Sequence, residues 1–71
     1  MTTAEAIAEG LVPYYCGYYR ESAKYKTEWM CIDGSYNRRE LNRRLAFKIR
    51  CDREDGYYGS RVKIVRTFRK A

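Results

Sequence analysis

The chain has 71 residues and carries 15 Lys and Arg against nine Asp and Glu, with no His and a net charge of +6. This length allows one small domain over residues 1–71 and excludes a second domain or a deep interdomain cleft. The positive charge favours an acidic partner, and the scarcity of aliphatic residues means that the eight Tyr and the single Trp must supply part of the core.

The N-terminal segment predicts a short helix. Thr2 and Glu5 have the spacing of a capping box, in which the Thr side chain caps the helix and the Glu reaches back. We expect a helix over residues 4–9, anchored on the core by Ile7 and Leu11.

The next segment, LVPYYCGYYR at 11–20, is rich in strand-favouring residues. Pro13 suits a strand start or an edge, and Gly17 indicates a bulge or a close backbone approach. In a strand, Tyr14, Cys16 and Tyr18 share one face and Tyr15 and Tyr19 the other; we expect one set to be buried against Trp29 and Tyr25.

Residues 24–32 alternate in polarity and predict the return strand of a hairpin, with Trp29 on its buried side. Asp33 and Gly34 then indicate a turn. Asn37 and Glu40 form a second capping box, which predicts a helix over residues 38–44.

From Leu45 to Cys51 apolar and polar residues alternate, which predicts a third strand. Residues 53–60 form a loop, and 61–69 return as a fourth strand with Val62, Ile64 and Phe68 inward. The expected fold class is α+β: a four-stranded antiparallel sheet of two hairpins with one or two short helices. A small, partly open β-barrel is the alternative.

Composition argues against catalysis. The chain lacks His, the commonest acid–base group near neutral pH, and Cys16, Cys31 and Cys51 lie in predicted strands, where we expect buried free thiols. The carboxylates of Asp52, Glu54 and Asp55 are typical of a polar turn. We therefore predict that the protein is not an enzyme and holds no metal or cofactor.

The N-terminus, MTTAEAIAEG, carries acid where a signal peptide carries Lys or Arg. No apolar run approaches the roughly 20 residues that a membrane-spanning helix needs. We expect a cytoplasmic protein without a membrane partner.

Arginine and tyrosine dominate the candidate binding residues, because guanidinium groups suit carboxylates and phosphates and both residue types are common at interface hot spots. The predicted partner-binding residues are Arg38, Arg39, Arg43, Arg44, Tyr15, Tyr19, Tyr57 and Tyr58. A second predicted group, on one outer sheet face, consists of Lys48, Arg50, Arg61 and Lys63.

At the level of class, the segments NRRELNRR and YYCGYY in so small a chain resemble phage-encoded regulators that bind host RNA polymerase or host defence complexes. The resemblance covers the whole chain but matches no family motif, so it transfers no site residues. It implies a protein of the host cytoplasm that inhibits or redirects transcription by occupying a polymerase surface.

Two functions remain from the sequence. The first is a non-enzymatic regulator that docks through an Arg/Tyr surface on an acidic patch of a transcription or other nucleic-acid-processing complex. The second is a protein that binds DNA or RNA directly through the arginine helix and the basic sheet face.

Overall fold

The computed structural model describes residues 2–21 and 28–70. The elements in chain order are helix α1 (Thr3–Ala8), strands β1 (Leu11–Arg20) and β2 (Met30–Ser35), helix α2 (Arg38–Glu54) and strand β3 (Arg61–Lys70). The strands form an antiparallel sheet in the order β2-β1-β3. The α+β class is confirmed, but the described residues form a three-stranded open sheet, so the prediction of four strands is wrong.

Helix α1 begins where its capping residues predict. The Thr2 hydroxyl accepts a hydrogen bond from the Glu5 backbone N–H at 3.2 Å. The predicted anchor is wrong, because Ala6 is fully buried while the Ile7 side chain is 66% exposed. Close approach of a small side chain to the sheet thus replaces the expected aliphatic contact.

Strand β1 is the centre of the sheet. It pairs with β3 along its whole length and with β2 only from Tyr15 to Tyr19. Pro13 therefore lies where β1 has a partner strand on one side alone, as its missing N–H favours. The predicted irregularity at Gly17 is confirmed, since the register with β2 shifts between Gly17 and Tyr18.

The second half of the predicted hairpin is displaced along the chain. Of the predicted return strand at 24–32, residues 24–27 lie outside the described residues, and β2 begins only at Met30. The predicted turn at Asp33 and Gly34 is wrong, because both residues lie within β2. Gly34 is required there for another reason: a Cβ at this position would collide with the ring and hydroxyl of Tyr14.

Helix α2 is more than twice as long as predicted, and the expected strand at 45–51 is wrong. Its start is confirmed, because the Asn37 side chain accepts a hydrogen bond from the Glu40 N–H at 3.1 Å. No Gly or Pro interrupts residues 38–54, so nothing in the sequence ends the helix early. It ends at Glu54 with Asp55 as its C-cap, and Gly56 follows with a φ of 91°, a left-handed conformation that favours glycine.

The core lies between α2 and β1. Leu41 and Leu45 are buried against Gly17, and a Cβ on Gly17 would lie 2.9 Å from a Leu45 methyl carbon. The molecule is thin, with extents of 46 × 24 × 13 Å. Two layers this small bury few side chains completely, which leaves most aromatic residues of the sheet half-buried.

Candidate binding surfaces

A buried polar cluster fixes the C-terminal half of α2 on the sheet. The Tyr19 hydroxyl donates to the Asp52 carboxylate at 2.5 Å, and the Ser60 hydroxyl donates to it at 2.7 Å. Lys48, one turn earlier on α2, forms an ion pair with Asp52 at 3.0 Å. All three donors converge on one carboxylate that is almost completely buried.

The pKa values in this cluster follow from its geometry. Burial by itself raises the pKa of Asp52, but hydrogen bonds from Tyr19, Ser60 and Lys48 outweigh it and hold the pKa below its ordinary value. Burial and the bond to Asp52 raise the pKa of Tyr19. The same carboxylate raises the pKa of Lys48. The cluster is thus a neutral tyrosine and serine around an ion pair.

Tyr19 was a predicted surface contact, and this placement is wrong. Its side chain is 9% exposed and its hydroxyl is fully engaged. Lys48 was expected on a sheet face, but it lies on α2 and is paired with Asp52. Both residues hold the fold together.

The arginines of α2 separate onto different sides of the helix. Arg44 points toward β2, where it bonds both carboxylate oxygens of Asp33 and the Gly34 carbonyl at 2.8–3.1 Å. It also pairs with Glu40 at 3.1 Å. Arg38 lies beside the sheet, where it lines a shallow depression with Tyr15.

Three further arginines of α2 lie on the side opposite the core, with an aromatic residue among them. Arg43, Phe47 and Arg50 follow one another at spacings of four and three residues, so they share a face. Phe47 is 59% exposed, and the Arg50 guanidinium carbon lies 5.6 Å from its ring centroid. Together with Arg39, one turn before Arg43, these residues are called the outer helix face.

The predicted basic sheet face is divided between two elements. Lys48 and Arg50 belong to α2, whereas Arg61 and Lys63 belong to β3. The physical reason is the helical course of residues 45–51, which places Arg50 on the outer helix face. Arg61 and Lys63 keep their strand positions, opposite Arg20 and Tyr18 of β1.

The two faces of the sheet differ in what covers them. Tyr15, Gly17 and Tyr19 alternate onto the face that packs on α2, here called the proximal face. The opposite side is called the distal face. Its β1 and β3 positions are Val12, Tyr14, Cys16, Tyr18, Arg20, Arg61, Lys63, Val65, Thr67 and Arg69.

Cations stack on aromatic rings across the distal face. The Arg69 guanidinium carbon lies 3.8 Å from the ring centroid of Tyr14. Near the other end of the sheet, the Lys63 ammonium lies 4.5 Å from the centroid of Trp29 and 5.8 Å from that of Tyr18. The Arg20 guanidinium also covers Trp29, at 4.9 Å.

The tyrosines predicted in the final loop are at the surface. Tyr57 and Tyr58 are 57% and 72% exposed, and they connect α2 to β3. Because α2 is roughly 25 Å long at 1.5 Å per residue, they lie far from Arg39. They therefore do not join the first arginines of α2 in one patch.

The three cysteines lie on three elements. Cys16 of β1 and Cys51 of α2 are half-buried, and Cys31 of β2 is exposed, so the expectation of buried thiols is wrong for Cys31. Among residues 2–21 and 28–70, no three Cys, Asp or Glu side chains lie close enough to hold a metal ion. No helix of these segments is long and apolar enough to cross a membrane.

Comparison with known proteins adds no relative. No protein-family model matches the chain, and neither the curated proteins nor the solved structures give a significant match.

Sequence reasoning missed several surface residues: Tyr14, Tyr18, Trp29, Phe47 and Arg69. The alternation of β1 had already grouped Tyr14 with Tyr18, but it could not show which strand lies beside β1. Pairing with β3 along the whole of β1 brings Lys63 and Arg69 onto the same face as these tyrosines. Phe47 was hidden by its assignment to a strand.

Proposed function

We propose that the protein is a non-enzymatic regulatory protein that docks through its outer helix face on an acidic surface of a partner protein. The observation that carries this proposal is the exposed Phe47 ring between Arg43 and Arg50. These three side chains and Ala46 line a shallow depression. An aromatic residue surrounded by arginines is typical of the centre of an interface.

The charge around this patch favours an acidic partner. Arg44 and Lys48, on the inner side of α2, are paired with carboxylates. Arg39, Arg43 and Arg50 form no salt bridge with another described residue. Glu54 lies one turn beyond Arg50 on the same side of the helix. Because three arginines stand against this one carboxylate, the outer helix face keeps a net positive charge.

Phe47 and the arginines have separate roles in the proposed complex. Full burial of the Phe47 ring in a partner pocket contributes about 1.5–3 kcal/mol. An exposed ion pair at the rim contributes only about 0.2–1 kcal/mol. Phe47 therefore sets most of the affinity, and the arginines select an acidic partner and speed its association.

Site-specific photo-crosslinking tests this proposal. A benzophenone amino acid replaces Phe47, and in the control it replaces Ile7, which has a similar exposure on α1. In nuclease-treated lysate, position 47 should crosslink to one defined protein and position 7 should not. Equal crosslinking from both positions would contradict docking through α2.

The purified partner then permits a matched affinity measurement. The double variant R39E/R43E and the variant F47S should each weaken binding at least about tenfold. The double variant K63E/R69E makes the same change of net charge on the distal face and should leave affinity within about threefold. Unchanged affinity of R39E/R43E would remove the outer helix face from the interface.

The class-level resemblance supports a finer proposal, in which the partner belongs to a transcription complex in the cytoplasm. Purified RNA polymerase provides the test, because the wild-type protein should inhibit or redirect transcript synthesis and F47S should not. If position 47 crosslinks to another protein and to no polymerase subunit, the partner is not RNA polymerase, but the docking surface on α2 is unchanged.

A further inference from the structure

The distal face of the sheet carries a second constellation, separate from the outer helix face. It combines three aromatic rings, Tyr14, Tyr18 and Trp29, with the cations that lie over them. Tyr36, which follows β2, packs edge-on against Tyr14 at 4.8 Å and is itself exposed. The aromatic content of YYCGYY is thus divided between the core and this surface.

Charge on the distal face is of one sign. Its strand positions hold Arg20, Arg61, Lys63 and Arg69 and no Asp or Glu. The β2 carboxylate, Asp33, pairs with Gly17 in the register and bonds Arg44 of α2, so it belongs to the proximal side. The described salt bridges all involve α2. The four distal cations have no carboxylate partner among the described residues.

Two aromatic rings of β1, each with a cation of β3 beside it, are separated along the strand. Tyr14 and Tyr18 are four residues apart, which is roughly 13 Å along a strand. Each has a cation of β3 beside it: Arg69 at Tyr14 and Lys63 at Tyr18. Because bases stack on aromatic rings and cations track the backbone in single-strand sites, this pairing of ring and charge suits an extended oligonucleotide.

We propose that the distal face binds single-stranded nucleic acid, with bases stacked on Tyr14, Tyr18 and Trp29 and phosphates bound by Arg20, Arg61, Lys63 and Arg69. Single strands expose their bases for stacking on aromatic rings, whereas a duplex presents only base edges in its grooves. The proposal goes beyond docking through α2 and uses different residues.

The present cation–ring contacts are compatible with this binding. An exposed cation–π contact is worth about 0.5–1 kcal/mol, and stacking of one base on an aromatic ring about 1–3 kcal/mol. A base therefore displaces Lys63 or Arg69 from the ring with a net gain. The displaced cation then lies at the ring edge, where it pairs with the adjacent phosphate.

Trp29 gives an intrinsic signal for the test, because it is the only Trp of the chain. An oligo(dT) or oligo(U) of about 12 nucleotides is titrated into the protein. Binding is measured by the fluorescence of Trp29 and by the anisotropy of a labelled strand. Base stacking should quench Trp29. Affinity should fall as salt rises, with a log–log slope of about −2 to −3 for three or four phosphates.

Matched variants locate the site. K63E/R69E should weaken oligonucleotide binding at least about tenfold, while R39E/R43E, with the same change of net charge on α2, should stay within about threefold. Y18L, which keeps every charge, should weaken binding by loss of stacking and leave the salt slope unchanged. Circular dichroism checks that each variant is folded.

Four outcomes would overturn the proposal. The first is that neither single strand binds at about 50 mM salt, and the second is that the two charge-reversal variants lose affinity equally. The third is that the matching duplex binds more tightly than the single strand. The fourth is that the distal face binds an acidic protein and does not bind the oligonucleotide. None of them bears on crosslinking from position 47, so this proposal and the proposed docking through α2 fail independently.

Discussion

The cations between α2 and the sheet and the cations of the distal face have different partners. Arg44 pairs with Asp33 of β2, and Lys48 pairs with Asp52 within α2 and also lies 5.0 Å from the Tyr19 ring centroid. On the distal face, Lys63 and Arg69 lie over aromatic rings, and Arg61 donates to backbone carbonyls. Arg66, at a proximal position of β3, also lies over a ring, that of Phe68. The carboxylate-paired cations of α2 therefore stabilise the fold, and we propose that the distal cations, which have no carboxylate partner among the described residues, are available to a ligand.

Removal of the buried Asp52 carboxylate should lower the free energy of unfolding more than any other change considered. Asp52→Ala leaves the hydroxyls of Tyr19 and Ser60 buried without their acceptor and Lys48 without its partner. The expected loss is about 3 kcal/mol of the free energy of unfolding. A domain of this length has roughly 4–10 kcal/mol in total, so denaturant titration should show a largely destabilised protein.

Asp55→Ala is the control for this substitution, because Asp55 is exposed just after α2. It should change the free energy of unfolding by less than about 0.5 kcal/mol. Equal stability of the two variants would contradict the role given to the Asp52 cluster.

A second substitution compares adjacent positions of β1 that face opposite sides. Gly17→Val places methyl groups against Leu41 and Leu45, which are already in close contact with Gly17, and should cost about 1–3 kcal/mol. Cys16→Val, on the distal face, should be tolerated because Val suits a half-exposed strand. Thermal unfolding of both variants measures the contrast; a larger loss for Cys16→Val would place the helix on the wrong face.

A smaller effect should appear at low pH. Because the pKa of Asp52 is lower in the folded than in the unfolded protein, its contribution is complete above the ordinary Asp pKa near 3.8 and is lost as pH falls through the lower folded pKa. Asp52→Asn should flatten this acid limb of unfolding free energy against pH. Parallel acid limbs in the two proteins would contradict the assignment.

The smallest expected effect concerns neighbouring arginines of α2. Arg44→Ala removes an exposed ion-pair network with Asp33 and Glu40 and should cost about 0.5–1 kcal/mol. Arg43→Ala, which changes the outer helix face, should leave stability within about 0.3 kcal/mol. Chemical denaturation distinguishes them, and the reverse order would mean that the inner and outer arginines have been interchanged.

Local signals predicted the fold well where one segment decides its own structure. Both N-caps, Thr2 and Asn37, were predicted at the correct residues, because cap chemistry is contained within four positions. The reciprocal half of the predicted capping box is wrong at Asn37, whose N–H donates to Ser35 Oγ while Glu40 pairs with Arg44. The strands at 11–20 and 61–70 were also predicted within one residue. The prediction of a bulge or a close backbone approach at Gly17 is confirmed by the register shift with β2 and by the close packing of Leu41 and Leu45.

The errors arise where distant residues decide. Leu45–Cys51 alternates as a strand does, yet Leu41 and Leu45, with Lys48 and Asp52, also form one face of a helix. Bonds from Tyr19 and Ser60 to Asp52 select the helix, and both partners are more than seven residues away along the chain. The distal face depends in the same way on the pairing of β1 with β3, which no local pattern specifies.

The cations of the distal face without carboxylate partners among the described residues are proposed to bind single-stranded nucleic acid. Titration of the ¹⁵N-labelled protein with oligo(dT), followed residue by residue in NMR spectra, tests this proposal most directly. The predicted result is a set of shifts confined to the distal face, including Tyr14, Tyr18, Lys63, Arg69 and the Trp29 indole. Shifts centred on Arg39, Arg43 and Phe47, or spread evenly over both faces, would contradict it.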